Sequence, residues 1–362
     1  MQSSPTVALY LEPSLVHNHN PTINDSFENG QRVNIDPLEY SKLGCQIVRP
    51  RYQAAYFRML EQVHGSNPMY VYLTETSFKK TIWQRLTGRH PKHMQTRNCR
   101  CSTETTLPNC HECGTLFTED NFKRFVFNID PKVIYPDTTY FTHTSLKAVR
   151  DSVSLVCQMV DGLRAKTVDH GFAFVRPPGH HAHCHKSWGF CLVNNLAVGV
   201  KYALTRGFNR VFVFDIDAHH GDGTQSIFYQ DPNVFYCSIH TAESFPKTGL
   251  PEEQGEGEGF GFNLNCVVPK GVSANAYLEV FHDQVRPAIE AYKPDLVLVS
   301  AGFDGLDTDP MQIMKLEPAT YGTIVAALKE VSQAPVGLVL EGGYDVSRLN
   351  HCYHACISSL LG

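Results

Sequence analysis

Short β-branched or aromatic runs alternate with helical patterns from about Gly171 onward, and this regularity constrains the fold more than any other feature. The runs are 171-GFAFVRPPG, 210-RVFVFDID, 233-NVFYCSIH, 262-FNLNCVVP, 295-DLVLVSAGFD and 335-PVGLVLEGGYD. Between them, residues 193–207, 273–292 and 318–332 carry apolar side chains three or four positions apart. Near-continuous apolar strands that alternate with helices predict an α/β fold with a mostly parallel central sheet flanked by helices.

Residues 1–170 follow a different pattern. Val7–Leu11 predicts a strand, Tyr52–Val63 a helix and Thr144–Arg164 a longer helix. Between them, Thr87–Asp120 is polar and rich in Cys, His and Thr, which favours an insertion over a linker between two domains. A chain of 362 residues fits one large domain or two ordinary ones. We therefore expect a single domain over residues 1–362 with a Cys/His-rich insertion at about 87–120.

Composition excludes several classes of protein. The formal net charge is −5, so no basic excess points to a nucleic-acid partner. No apolar run approaches the roughly 20 residues of a membrane-spanning helix. Many of the twelve cysteines lie inside apolar runs, which is typical of buried free thiols in a reducing compartment. We expect a protein of the nucleus or the cytoplasm.

Acidic and imidazole side chains follow two of the predicted strands. Asp215, Asp217 and His219 lie at two-residue spacing in 215-DIDAHHGDG, and Asp304 follows the run 295-DLVLVSAGF. Strand alternation would place the first three on one side, where a cation would be needed to balance them. An Asp-His-Asp set would form a three-ligand zinc or iron site with an open position, as in catalytic metal sites. The alternative is that they are N-caps and turn residues.

Two further motifs carry groups suited to acyl chemistry. His180 and His181 follow a stiff turn in 177-PPGHHAHCHKSWGFC, and paired imidazoles can serve as a general base and its electrostatic partner. Asp215 and Asp222 are the carboxylates available to set their tautomers. In 341-EGGYD, two glycines allow close backbone approach, and the phenol of Tyr344 can donate to an oxyanion.

In order and spacing, these motifs resemble the zinc-dependent histone deacetylase family, specifically its class II branch, in the arginase/deacetylase superfamily. The motifs are RPPGHH at Arg176–His181, GFC at Gly189–Cys191, DIDAHHGDGTQ at Asp215–Gln225, SIH at Ser238–His240, AGFD at Ala301–Asp304 and LEGGYD at Leu340–Asp345. The resemblance covers roughly half the chain. It implies the arginase/deacetylase fold, with the site at the carboxyl ends of the strands.

The resemblance also implies a role for each motif residue. Zn²⁺ would bind Asp217, His219 and Asp304. His181 would be the general base, oriented by Asp222, and His180 its electrostatic partner, paired with Asp215. Tyr344 would polarise the scissile carbonyl. The family also binds K⁺ beside the zinc, here through Asp215, Asp217, His219, Ser238 and Ile239.

A narrow channel around an aliphatic substrate stem is implied as well. Gly189 and Phe190 would form one wall and Phe245 the other. Asp137, in 135-YPDTTY, matches a rim residue that grips the substrate backbone, although an ordinary turn Asp is an equal alternative. Met311 stands where the polyamine-deacetylating branch has a Glu, which favours acetyl-lysine in a protein over a cationic polyamine.

Two other departures distinguish related proteins. Inactive family members replace the tyrosine of the last motif with histidine, and this chain keeps Tyr344. Arginase-like relatives hold two metals with a second Asp-x-Asp, whereas 301-AGFDG has one Asp, so we expect a single zinc in the active site.

The insertion carries a separate Cys/His cluster. Cys99, Cys101, Cys110 and Cys113 have spacing compatible with a structural zinc, with disulfides, or with free surface thiols.

We expect a zinc-dependent hydrolase that removes acetyl groups from lysine side chains of proteins, histones among them. The alternatives are a deacylase of longer acyl-lysines or acetylated small amines, and an acetyl-lysine-binding co-repressor scaffold of low activity. Expected partners are acetylated proteins such as histones, together with co-repressor subunits.

Overall fold

Eight short strands form the centre of the molecule in the computed structural model, which describes residues 5–17, 28–64, 139 and 144–362. In chain order they are β1 (Val7–Leu11), β2 (Gln46–Val48), β3 (His170–Phe174), β4 (Val211–Asp215), β5 (Val234–His240), β6 (Asn263–Val267), β7 (Leu296–Ala301) and β8 (Val336–Leu340). They form one sheet with the order β2-β1-β3-β8-β7-β4-β5-β6, and every neighbouring pair is parallel. The predicted α/β class is confirmed, and these strands are wholly rather than mostly parallel.

Helices cover both faces of this sheet. They are α1 (Pro37–Lys42), α2 (Ala54–His64), α3 (Ser145–Arg164), α4 (Asn195–Thr205), α5 (Asp222–Phe228), α6 (Ala274–Val280), α7 (Arg286–Tyr292), α8 (Pro318–Ser332) and α9 (Leu349–Leu361). Met159 of α3 packs beside Gly171, while Tyr353 of α9 packs edge-on against Phe172. Because consecutive residues of a strand point to opposite faces, α3 and α9 lie on opposite sides of β3. Burial on both faces explains the near-continuous apolar runs of the central strands.

Most of the predicted elements are present. The strand Val7–Leu11 is confirmed, and the two N-terminal helices occupy Ala54–His64 and Ser145–Arg164. The pattern over 273–292 is divided by a π-helical turn at Phe281–Val285, and a new helix begins there with a proline in its first turn. Proline has no N–H to continue the preceding ladder of hydrogen bonds. The predicted insertion at 87–120 lies outside the described residues.

The loops that matter for function follow five neighbouring strands. β3, β8, β7, β4 and β5 are adjacent in the sheet, and their carboxyl ends lead into the predicted motifs. Ligand sites of open parallel sheets form at this edge. Within the described part of the chain, no helix is long and apolar enough to span a bilayer.

Candidate active site at the carboxyl ends of the strands

Asp217, His219 and Asp304 form a buried triad where β4 and β7 end. The ligand atoms of the three side chains lie within 4.8 Å of one another. His219 Nδ1 is 3.0 Å from Asp217 Oδ1 and 2.8 Å from Asp304 Oδ2. The strand stops at Asp215, so the turn after it places Asp217 and His219, and strand alternation does not. Asp215 points instead to His180.

The triad fits a divalent cation on the chemistry of its donors. Two buried carboxylates and one imidazole supply the oxygen and nitrogen ligands that Zn²⁺ takes in catalytic sites. Burial disfavours a charged imidazole, yet Asp304 and Asp217 outweigh it and raise the pKa of His219 to about 10. The carboxylates therefore demand a positive charge at this point, and a metal ion would supply it in place of the proton.

Two glycines allow the backbone to approach the triad. A Cβ at Gly302 would lie 2.1 Å from Asp217 Oδ2, and a Cβ at Gly342 would lie 2.5 Å from the same atom. Gly342 N also donates to Asp217 Oδ2 at 2.9 Å. Close backbone approach was the role predicted for the glycines of 341-EGGYD, and the contact at Gly342 provides it.

The two adjacent histidines have separate carboxylate partners. His180 Nδ1 lies 3.1 Å from Asp215 Oδ2, and His181 Nδ1 lies 2.8 Å from Asp222 Oδ1. Both pairings match those that the resemblance implied. The side chain of Glu341, the residue after β8, accepts from the N–H groups of Gly179 and His180 at 2.6 and 3.1 Å. The histidine turn is thus tied to β8 as well as to β4.

Their surroundings push the pKa values of these two imidazoles apart. Burial and the neighbouring charge of His180 lower the pKa of His181 to about 3, although Asp222 opposes this. Burial also disfavours the charged form of His180, but Asp217 and Asp215 outweigh it and raise the pKa of His180 well above its usual value. A cation at the triad would neutralise part of the charge of Asp217 and weaken that rise. His181 remains neutral, with Nδ1–H bonded to Asp222 and Nε2 unprotonated.

Asp222 holds a second imidazole that sequence reasoning missed. His183 Nε2 lies 2.6 Å from Asp222 Oδ2, opposite the oxygen that His181 uses. Burial opposes ionisation of Asp222, but hydrogen bonds from His181 and His183 outweigh it and lower the pKa of its carboxyl group below the usual range. The sequence 180-HHAH could have indicated this contact, because His181 and His183 lie two residues apart next to a turn.

Tyr344 is held from two sides by residues that were not predicted. The Arg32 guanidinium lies 5.1 Å from the centre of the phenol ring, and Arg32 Nε donates to Gly343 O at 2.6 Å. On the other side, Tyr344 N donates to Asp309 Oδ2 at 2.7 Å. Burial and the charge of Asp304 raise the pKa of Tyr344 well above its usual value, so its hydroxyl stays a proton donor.

A cavity of about 230 Å³ opens onto these groups. It is lined by the predicted Gly189, Phe190, Phe245, Met311, His181, His219 and Tyr344, and by Ser244 and Ile313, which were not predicted. The ring of Phe245 meets that of His181 edge-on, with centres 4.9 Å apart, and Trp188 lies behind Phe245 with ring centres 4.7 Å apart. The structure thus brings the predicted channel residues and the polar groups to one cavity.

The remaining predicted residues fall into two groups. Ser238 lies beside Asp215 in the register of β5 and β4, and Ile239 follows it, so the residues proposed for K⁺ are neighbours. Asp137 and the cluster Cys99, Cys101, Cys110 and Cys113 lie outside the described residues, and their roles stay predictions.

Comparison with known proteins agrees with this geometry. The family model described as "Histone deacetylase domain" matches residues 42–360. Histone deacetylase 9 of Homo sapiens is 36% identical over 236 residues, and a probable deacetylase of Archaeoglobus fulgidus is 40% identical over 185 residues. The crystal structure of the HDA15 HD domain superposes with a TM-score of 0.76 at 26% identity, covering 99% of this chain and 90% of that one.

The two curated relatives match over part of their length. The human alignment covers 62% of this chain and 23% of that protein, and the archaeal one covers 50% of this chain and 52% of that protein. This chain therefore spans about a quarter to about half the length of these relatives. The family model covers most of this chain, and it includes every strand that carries the site. The chain belongs to the histone deacetylase family and is similar to its class II-type members.

Proposed function

We propose that this chain is a zinc-dependent hydrolase that removes acetyl groups from Nε-acetyl-lysine side chains of proteins, histones among them. One observation carries the proposal: His219 of the buried Asp-His-Asp triad, the imidazole of His181 and the phenol of Tyr344 line one cavity with apolar walls. Asp217, His219 and Asp304 would hold the zinc ion. When bound, the ion supplies Lewis-acid polarisation of the acyl carbonyl and activation of water.

The residues of the chain supply the other steps. His181 accepts the proton of the attacking water at Nε2, and Asp222 stabilises the imidazolium that results. The hydroxyl of Tyr344 donates a hydrogen bond to the acyl oxygen, where negative charge develops when water attacks the acyl carbon. His180, between Asp215 and Asp217, would act as the electrostatic partner of His181. Protonation of the leaving amine by the imidazolium of His181 then completes the reaction.

The walls of the cavity support a neutral acyl-lysine as substrate. Phe190 and Phe245 line it with aromatic rings, and burying the methylenes of a lysine stem between such rings is favourable. A free ammonium group would lose its hydration there without a carboxylate partner, because Met311 offers only a thioether. The same walls would accept longer acyl chains or acetylated small amines, and these are the alternative substrates.

Acetate release from an acetyl-lysine histone peptide by the purified, zinc-loaded protein tests the proposal. We expect release that a hydroxamate zinc chelator abolishes, and that His181→Ala reduces by about 10³-fold or more. Release from longer acyl-lysines or acetylated polyamines, with none from the peptide, would replace the substrate but keep the chemistry. Peptide binding without turnover of any substrate would favour the acetyl-lysine-binding scaffold.

Four finer statements belong to the same proposal. K⁺ would bind next to the triad through Asp215, Ser238 and Ile239, where β4 and β5 are paired. A second, structural zinc would bind the four cysteines of the insertion. Asp137 would grip the substrate backbone. Co-repressor subunits would be partners in the nucleus or the cytoplasm, where buried thiols such as those of Cys157 and Cys237 stay reduced.

A further inference from the structure

Asp309 is a buried carboxylate that the chemistry proposed above does not use. It lies in the loop between β7 and α8, and 1% of its surface is exposed. Among the described residues it forms no ion pair, and its side chain accepts hydrogen bonds from three backbone N–H groups. Burial and the charge of Asp304 raise the pKa of its carboxyl group above the usual range. Burying a carboxylate costs free energy, so the position of Asp309 calls for a functional explanation.

Its two oxygens bind two different parts of the site. Asp309 Oδ2 accepts from Tyr344 N at 2.7 Å and from Asp345 N at 3.3 Å. Asp309 Oδ1 accepts from Met311 N at 2.9 Å. Met311 and Tyr344 both line the cavity. The carboxylate of Asp309 therefore bridges the backbones of two lining residues.

We propose that Asp309 is a positioning residue that sets Tyr344 and Met311 relative to each other, so that the cavity wall and the oxyanion donor move as one unit. This inference rests on the proposed function. Tyr344 acts through the direction of its hydroxyl group, and its backbone is anchored by Asp309 on one side and by Arg32 on the other. Loss of one anchor turns the phenol away from the acyl oxygen, whereas loss of the contact with Met311 loosens the wall.

Asp309→Asn is the informative change, because an amide of the same shape has one acceptor oxygen and places N–H donors against a backbone N–H. We expect kcat to fall by about 10-fold to 100-fold, and KM for an acetyl-lysine peptide to rise by about 3-fold to 10-fold. Asp307→Asn is the matched control. That carboxylate is two residues away in the same loop, exposed and paired with Arg348, and its change should alter neither constant by more than about 2-fold.

Double-mutant cycles separate positioning from general loosening of the fold. If Asp309 acts through Tyr344, Asp309→Asn should lower kcat by less than about 2-fold in a Tyr344→Phe background, because the donor is already lost. In a Met311→Ala background the rise in KM should disappear in the same way. If Asp309→Asn changes kcat and KM by the same factors in the wild-type, Tyr344→Phe and Met311→Ala backgrounds, the proposal is overturned. If Asp309→Asn does not fold, Asp309→Glu, which keeps the charge and shifts the carboxylate by one methylene, takes its place in the cycle.

Hydrogen exchange measures the anchoring without any substrate. Deuterium uptake at the amides of Tyr344 and Asp345 should increase in Asp309→Asn and stay unchanged in Asp307→Asn. Unchanged uptake at these amides in Asp309→Asn would overturn the proposal even if activity fell. If the wild-type protein releases no acetate, but deuterium uptake at these amides still increases in Asp309→Asn, the proposed function is contradicted and the anchoring is established.

Discussion

In the proposed reaction, two single side chains separate turnover of the substrate from mere binding. The phenol of Tyr344 and the imidazole of His181 lie on different loops, yet both line the same cavity. Each also has a neighbour that fixes its state: the Arg32 guanidinium lies over the phenol, and the Asp222 carboxylate binds the imidazole. The chemistry therefore depends on these pairs as much as on the groups that contact the substrate.

Removal of the phenol hydroxyl should affect the chemical step alone. Tyr344→Phe keeps the ring between Phe190 and Arg32 but deletes the donor to the developing oxyanion. We expect kcat for an acetyl-lysine peptide to fall by about 10²–10³-fold with KM little changed. Steady-state kinetics checks this, with Tyr229→Phe, at a residue that does not line the cavity, as control. A fall in kcat of less than about 3-fold would exclude Tyr344 as the oxyanion donor.

The second imidazole on Asp222 should tune the base. His183→Ala removes one hydrogen-bond donor from Asp222 Oδ2. The carboxylate then stabilises the imidazolium form of His181 more strongly, and the pKa of His181 rises. The acid limb of kcat/KM against pH should then move to higher pH, while activity on the alkaline side changes by less than about 3-fold. His185→Ala is the control: its ring centre lies 6.1 Å from that of His183, and in the described part of the chain the imidazoles that bind Asp222 are those of His181 and His183. An unshifted acid limb would show that His183 only packs beside the site.

At the scale of elements, two strand ends are pressed together at the triad. β7 leads to Gly302 and β8 to Gly342, and both glycines pass within contact distance of Asp217. Neighbouring parallel strands place their carboxyl ends at the same edge, but only the missing side chains let the two backbones close around one carboxylate.

A methyl group at Gly342 should prevent zinc from binding at the triad. In Gly342→Ala, the new Cβ would lie 2.5 Å from Asp217 Oδ2 and 2.7 Å from Asp304 Oδ2, so both ligands must move. Zinc retained after dialysis should fall by about one ion per chain relative to the wild type, and acetate release should fall by about 10²-fold or more. Gly322→Ala in α8 is the matched control: its Cβ would press on Ala355 O at 3.1 Å, away from the site. Normal zinc content in Gly342→Ala would show that the triad is not the zinc site.

At the scale of the whole molecule, buried neutral histidines link distant segments. His64, at the end of α2, accepts from Asn194 N at 2.9 Å through Nε2 and donates from Nδ1 to His183 O at 3.1 Å. Burial lowers the pKa of His64 to about 3 and that of His170 to about 4. Both imidazoles stay neutral in the folded chain and take up protons on unfolding below pH 6.5.

The contribution of these two imidazoles to the free energy of unfolding should therefore decrease as the pH falls from about 6.5 towards 4. In that window each of the two binds a proton in the unfolded chain but not in the folded one, so each contributes a slope of about 1.4 kcal/mol per pH unit. His64→Gln, which can keep one acceptor and one donor, should reduce the slope by about that amount. Urea denaturation at a series of pH values measures it, with wild type and His351→Gln, an exposed histidine, as references. An unchanged slope in His64→Gln would mean that His64 is charged in the folded state.

The sequence by itself determined the class of fold and most of the polar residues of the site. The apolar runs predicted β3 to β8 because buried parallel strands need side chains that are apolar on both faces, and this requirement is local and visible in the chain. The triad, the histidine pair and Tyr344 were predicted because they follow those runs directly, and the carboxyl ends of parallel strands converge.

Only the tertiary structure decided which partners hold these groups. Arg32 contacts a loop 311 positions away, and His64 binds a backbone N–H 130 positions away; neither pairing leaves a periodic pattern in the chain. The turn after β4, rather than strand alternation, places Asp217 and His219, because the strand ends two residues earlier than the motif suggests. Strand formation depends on nearest neighbours in sequence, whereas the anchoring of a site depends on contacts that exist only once the sheet has assembled.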